Sequence, residues 1–242
     1  MRAPTAAEAL IAWERGHERG QVERSLELFA LARPGVPLEE LADVSVGERD
    51  GALLDLRAAM FGSELTGRLN CRHCGAQQEI NLDVDALHVA APDEDELALS
   101  IHGYALNLRR LCSRDLLAAA AAGNGVERRG VLVESCVLSA TRDGQAAAAR
   151  NLPAPVVDGI AQALAEADPQ ADLSLMVACE TCGHGTRLGF DISSFLWEEV
   201  DAWTGRLLRD IHMLASLYGW SERDILALSP ARRRRYMELA DA

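Results

Sequence analysis

Four of the six cysteines fall into two copies of one short motif, Cys71-Arg-His-Cys74-Gly75 and Cys179-Glu-Thr-Cys182-Gly183, 108 residues apart. The repeat extends beyond the sulfurs. Ile80, Leu82, Asp83, Val84 and Leu87 return at the same offset as Leu188, Phe190, Asp191, Ile192 and Phe195. A C-x-x-C turn lets two sulfurs reach one cation, and the glycine that follows permits the tight backbone the turn needs. Two such half-sites supply four thiolates, the ligand set of a tetrahedral structural zinc ion. Cys71, Cys74, Cys179 and Cys182 are therefore the expected ligands of one zinc. A sulfur-saturated site has no open position for water, so the metal is expected to hold structure rather than to catalyse. A redox role is disfavoured, because apolar–polar alternation follows each motif where a redox C-x-x-C would open a helix.

The remaining reactive residues have plainer readings. His73 and His184 sit in or beside the knuckles and are expected to face solvent or to donate hydrogen bonds around the sulfurs. Cys112 and Cys136 belong to no motif and read as small buried hydrophobes. Arg232–Arg235 is a run of four arginines; neighbours on a helix are about 100° apart, so the run encircles its helix and reads as a solvated surface or a contact for an acidic partner. Trp197 lies one step off the stripe shared by Leu196, Val200 and Trp203, which makes it a candidate for a partner surface. His212 reads as a partly buried helix residue. No phosphate loop, dinucleotide fingerprint, nucleophile elbow or H-E-x-x-H is found, and no carboxylate pair is marked as acid and base. The expectation is a protein that is not an enzyme.

These residues must be positioned by 242 residues of which 49% are apolar, enough for a substantial core. The net charge of −13 repels phosphate backbones and disfavours sequence-independent nucleic-acid binding. No signal-peptide pattern and no membrane-length apolar run is present. A cytoplasmic protein is expected, where thiols stay reduced and paired C-x-x-C points to metal before disulfide.

The periodicity predicts helices over Ala6–Arg15, Val22–Ala32, Leu38–Leu41 and onward from a Ser45 or Asp50 cap to Phe61, with Gly62 as the stop. Leu65-x-Gly-x-Leu69 leads into Cys71, and alternation predicts a strand over Glu79–Val84 and a hairpin over Leu97–Leu111 turning near His102-Gly103. Pro92–Glu96 reads as an acidic loop. Ser113 is the expected cap of the next helix; Arg128–Ala140 is apolar enough for strand or helix and is read as helix; Ala146–Ala149 with Pro153 and Pro155 reads as a linker. A helix over Val156–Ala167 and a strand over Leu173–Val177 follow. From a Ser193 or Ser194 cap, Leu196, Val200, Trp203, Leu207, Ile211, Leu214 and Tyr218 step by three and four, marking an amphipathic helix of about seven turns. Gly219 ends it, and Ser221 and Ser229-Pro230 open two short helices. The fold class is α+β: mostly helical, with a small β zinc ribbon built from two distant C-x-x-C knuckles. The chain divides into an N-terminal helical region (1–64), a zinc-knuckle α+β region (65–192, knuckles at 69–87 and 177–195) and a C-terminal helical region (193–242), all within one compact domain.

Several blocks together resemble a known family: Phe195-Leu-Trp-Glu-Glu-Val200, Leu207–Ala215, Tyr218-Gly-Trp-Ser-Glu222, Ile225–Pro230 with Arg232-Arg233 and Tyr236, Val46-Gly-Glu-Arg-Asp50, and Phe61-Gly62 ahead of the first knuckle. The chain is similar to the baseplate hub assembly chaperones of contractile-tailed phages and phage-tail-like contractile injection systems. That resemblance implies assembly rather than catalysis, with baseplate hub, spike or tube proteins as partners and no membrane. It carries over no catalytic residues. The alternative is a zinc-ribbon adaptor that binds nucleic acid or transcription machinery.

Overall fold

A computed structural model describes residues 2–90 and 96–240. Four helices come first: α1 (Ala6–Gly16), α2 (Gln21–Ala32), the single turn α3 (Leu38–Leu41) and α4 (Val46–Phe61). Thr5 and Glu8 cap α1 reciprocally, and the Ser45 hydroxyl accepts from Glu48 N–H at the start of α4. Gly62, at φ 93°, closes α4 in a conformation that a side chain would resist. The chain then enters a first hairpin, β1 (Glu64–Asn70) with β2 (Gln77–Asp83), antiparallel in continuous register.

A second sheet follows: β3 (Glu96–Ile101), β4 (Tyr104–Arg109), β5 (Val137–Arg142) and the short β6 (Gln145–Ala146), side by side in chain order. The β3–β4 turn falls at His102-Gly103 as expected. Of the acidic run Pro92–Glu96, only Glu96 lies within the described residues. Between β4 and β5 the chain inserts α5 (Ser113–Ala120) and α6 (Gly125–Cys136), and after β6 it forms α7 (Ala154–Ala167). The second knuckle hairpin pairs β7 (Ser174–Ala178) with β8 (Gly185–Gly189). The 27-residue α8 (Ile192–Tyr218) follows, then α9 (Glu222–Leu226) and α10 (Pro230–Ala240). Helix predominates over strand in a mixed architecture. Among the described residues no helix is long and apolar enough to cross a membrane.

The apolar side chains gather in three clusters. The largest joins α2, α4 and the first half of α8, with Phe29, Leu53, Leu54, Leu56 and Leu196 almost wholly out of water. Leu65, Val84 and Leu87 of the first knuckle and Ile192 after the second are part of it, so both knuckles rest on one core. A second cluster lies between the four-stranded sheet, α6 and α7, and a third between the end of α8 and the two terminal helices.

Several local expectations are corrected. Cys112, not Ser113, caps α5: its N–H donates to the Asp115 carboxylate at 2.9 Å, while the buried Ser113 hydroxyl accepts from Arg49 Nη1 at 3.0 Å. Asp191 caps α8 in place of Ser193 or Ser194, accepting from both of their N–H groups. Arg128–Ala140 is helix only to Cys136; Val137 begins β5 without a break. The supposed linker is structured, with Ala146 in β6, Pro153 capping α7 and Pro155 inside its first turn. Trp197 is buried, its ring packed against Gly16 and covered by the Arg24 guanidinium at 5.1 Å, so it is not a partner surface. His212 is exposed rather than partly buried.

Candidate metal centre

Each knuckle is a hairpin whose turn is the C-x-x-C-G motif. In the first, Cys71 N–H donates to Ala76 O and Gly75 N–H to Cys71 O, both at 2.8 Å. In the second, Cys179 N–H donates to His184 O at 2.9 Å and Gly183 N–H to Cys179 O at 2.7 Å. Gly75 and Gly183 have φ of 75° and 71°, the left-handed backbone that folds both cysteines of a motif toward one point. The first cysteine of each motif is buried and the second is exposed.

The two motifs meet so that the first cysteine of each lies beside the second cysteine of the other. Cys71 Sγ lies 3.8 Å from Cys182 Sγ, and Cys74 Sγ lies 3.6 Å from Cys179 Sγ. All four sulfurs fall within 4.8 Å of one another, and none forms a disulfide. A tetrahedral ion held by bonds of about 2.3 Å places its sulfurs about 3.8 Å apart. The cluster is therefore a possible metal-binding group, made of four soft donors from two distant parts of the chain. All four predicted site cysteines converge.

The backbone around the sulfurs is arranged for negative charge. Burial raises the Cys179 thiol, but the N–H groups of Cys182 and Thr181 outweigh it and hold Cys179 down to about 6. At Cys182 the His184 N–H pulls downward, while burial and the three neighbouring sulfurs push the thiol up to about 12. Without a cation the four sulfurs cannot all ionise together, and a divalent ion would relieve that repulsion. His73 and His184 stack across the joint with ring centroids 5.0 Å apart. Both histidines are exposed, and neither is among the four clustered ligand candidates.

The repeated aspartate has a structural role. Asp83 accepts from Asp85 N–H and caps the 3-10 turn Val84–Leu87; Asp191 caps α8. Its own burial raises the Asp191 carboxyl, but hydrogen bonds from Ser194 and Ser193 hold it below the ordinary range. The duplicated unit is thus a hairpin, a cap and a helical turn whose first residue, Val84 or Ile192, plugs the main core.

Two buried ion-pair systems on α4 tie it to other elements, and neither was predicted as a site. Arg57 on α4 donates Nη1 to Gly62 O and Glu64 O, each at 2.6 Å, and grips the Glu199 carboxylate of α8 through Nε and Nη2 at 3.0 and 2.9 Å. It therefore locks the entry of β1 to the helix that leaves the second knuckle. Arg49 pairs with Asp50 at 2.8 Å and reaches Ser113. Gly47 N–H donates to Asp168 at 3.0 Å, and a Cβ at Gly47 would lie 1.8 Å from that carboxylate. The signal for Arg49 and Arg57 was a lone cation inside an apolar stripe.

The T4 bacteriophage base plate protein family matches this chain over residues 34–197. The chain belongs to that family. The match to the base plate family takes in both knuckles, the Val46–Asp50 segment with its buried ion pair, and Arg57; it ends at Trp197, ahead of the Tyr218–Glu222 block. Neither a search of curated proteins nor one of solved structures found a match.

Proposed function

We propose that this base plate family member is a non-enzymatic assembly factor or structural component of the baseplate hub of a phage-tail-like contractile injection system. In this reading Cys71, Cys74, Cys179 and Cys182 hold one structural zinc ion. Membership of the base plate family carries the proposal. The sulfur geometry supports it, since a closed four-thiolate site stabilises a shape and leaves no position for a reacting water. Zinc suits the donor set: it accepts tetrahedral sulfur without redox change, and the N–H groups aimed at Cys179 and Cys182 would share the thiolate charge.

The partners in this reading are hub, spike or tube proteins met in the cytoplasm. The deciding experiment is gentle affinity purification of the tagged protein from its own host, with mass spectrometry of the eluate. Hub, spike or tube proteins are expected, and their presence or absence in finished particles separates component from chaperone. An eluate of nucleic acid or polymerase subunits, lost as salt rises, would replace this reading with the zinc-ribbon adaptor.

A further inference from the structure

All 24 cationic side chains of the chain are arginines, and they are unevenly placed. Residues 203–242 carry seven arginines against five carboxylates; residues 1–202 carry 17 against 32. The excess concentrates on α10, where Arg232–Arg235 occupy four successive positions. Of these, among the described residues, only Arg235 reaches a carboxylate, Glu238 at 2.8 Å. Arg233 turns inward and is 5% exposed; its Nε has no hydrogen-bond partner, and Asp210 of α8 acts on it only through space. Its charge is thus poorly compensated and adds to the positive field of that end.

Beside the arginines lies an aromatic strip. The Arg232 guanidinium sits 5.7 Å over the Tyr236 ring; Tyr236 meets Trp220 at 4.8 Å and Tyr218 at 5.9 Å, and Tyr218 stacks on Trp220 at 4.8 Å. Tyr218 is 41% exposed, Leu217 53% and Leu239 54%. Arg232, Arg235, Tyr236 and Leu239 fall at i, i+3, i+4 and i+7, one face of α10. Arginine and aromatic side chains beside exposed aliphatics are the composition of binding hot spots rather than of a merely solvated surface.

We propose that this face of α10, with the Tyr218–Trp220 end of α8, is a docking surface for an acidic, amphipathic segment of a protein partner. The carboxylates of that segment would meet Arg232 and Arg235, and its apolar side chains would cover Tyr218, Tyr236 and Leu239. Charge complementarity selects this occupant. A polyphosphate strand would extend along the strongly acidic remainder of the molecule, whereas a short acidic segment would meet only the basic end. The inference rests on the assembly reading above and gives one partner contact its chemistry.

The test uses the full chain and three fluorescent probes: a glutamate-rich peptide with leucine and tyrosine anchors, its glutamine counterpart, and a single-stranded oligonucleotide. The glutamate peptide should bind, weaken with salt, and bind about tenfold more weakly to the Arg232→Gln/Arg235→Gln double variant. Arg68→Gln, a surface change on the first knuckle, should leave binding unaltered. Equal binding of the glutamine peptide, unchanged affinity of the double variant, or preference for the oligonucleotide would each overturn the proposal. Affinity purification with the double variant separates the two levels. Baseplate proteins retained in full would remove this surface and leave the assembly role standing; their absence even with the unaltered chain would remove the assembly role, while the peptide result would still decide the surface.

Discussion

Arg57 holds four acceptor atoms on three residues in two separate stretches of chain: two main-chain carbonyls at the entry of β1 and both carboxylate oxygens of Glu199. Its side chain is 5% exposed, so removing it strands buried acceptors with nothing to replace the guanidinium. Arg57→Ala should lower unfolding stability by about 3 kcal/mol, read from the denaturant midpoint; a loss under about 1 kcal/mol would show that the carbonyls find water instead. Asp50 behaves differently. Burial pushes its carboxyl up to about 6 against the pull of Arg49. Between about pH 4 and about pH 6 the folded chain keeps a proton that the unfolded chain has released, so this group's contribution falls as pH rises through that window. Asp50→Asn should flatten that part of the stability–pH curve by an amount on the order of 2 kcal/mol. Parallel curves for the two proteins would show that Asp50 titrates at its ordinary value. The sulfur cluster was readable because cysteine spacing states a geometry directly. Arg49 and Arg57 were not, because a single chain does not show whether a cation beside leucines points inward or snorkels out.

The two knuckle hairpins are two-stranded sheets, each with one exposed face, and such a pair of strands has little stability by itself. Their order depends on the sulfur joint and on the plugs at Leu65, Val84 and Ile192. Chelation should therefore speed amide exchange in β1–β2 and β7–β8 well before it affects β3–β4–β5, whose inner side chains have their own cluster. Uniform acceleration would mean that the joint supports the whole molecule equally. At this scale, periodicity located most elements, and the misses have physical causes. Val131, Leu132, Val133, Cys136, Val137 and Ala140 satisfy helical and strand spacing alike, and no glycine or proline marks the change at Val137. Ser113 lost the cap because its hydroxyl is used by Arg49, a demand from a helix 64 positions away in sequence. Trp197 left the predicted surface because Gly16 of α1 makes room for its ring, and a Cβ there would come within 2.7 Å of it.

At the scale of the whole molecule, metal and fold should be a single equilibrium. If the cluster binds zinc, elemental analysis should give one zinc per chain, and Cys71→Ser or Cys182→Ser should lose both the metal and a large part of the melting temperature. Adding free zinc should raise the melting point of the unaltered protein and not of the variants. Unchanged zinc content and melting temperature in both variants would refute the shared site.

The joint between the knuckles also has a consequence in time. A ribosome adds about 5–20 residues per second, so Cys179 and Cys182 emerge several seconds or more after Cys71 and Cys74. Throughout that interval the nascent chain presents half a clasp: two thiols without the pair that completes their site. Because both halves carry the same C-x-x-C-G motif, the counterpart could equally belong to a neighbouring chain on the same message. Whether the clasp shuts within one molecule then depends on how closely the intervening segments fold the ends together before a second polypeptide arrives.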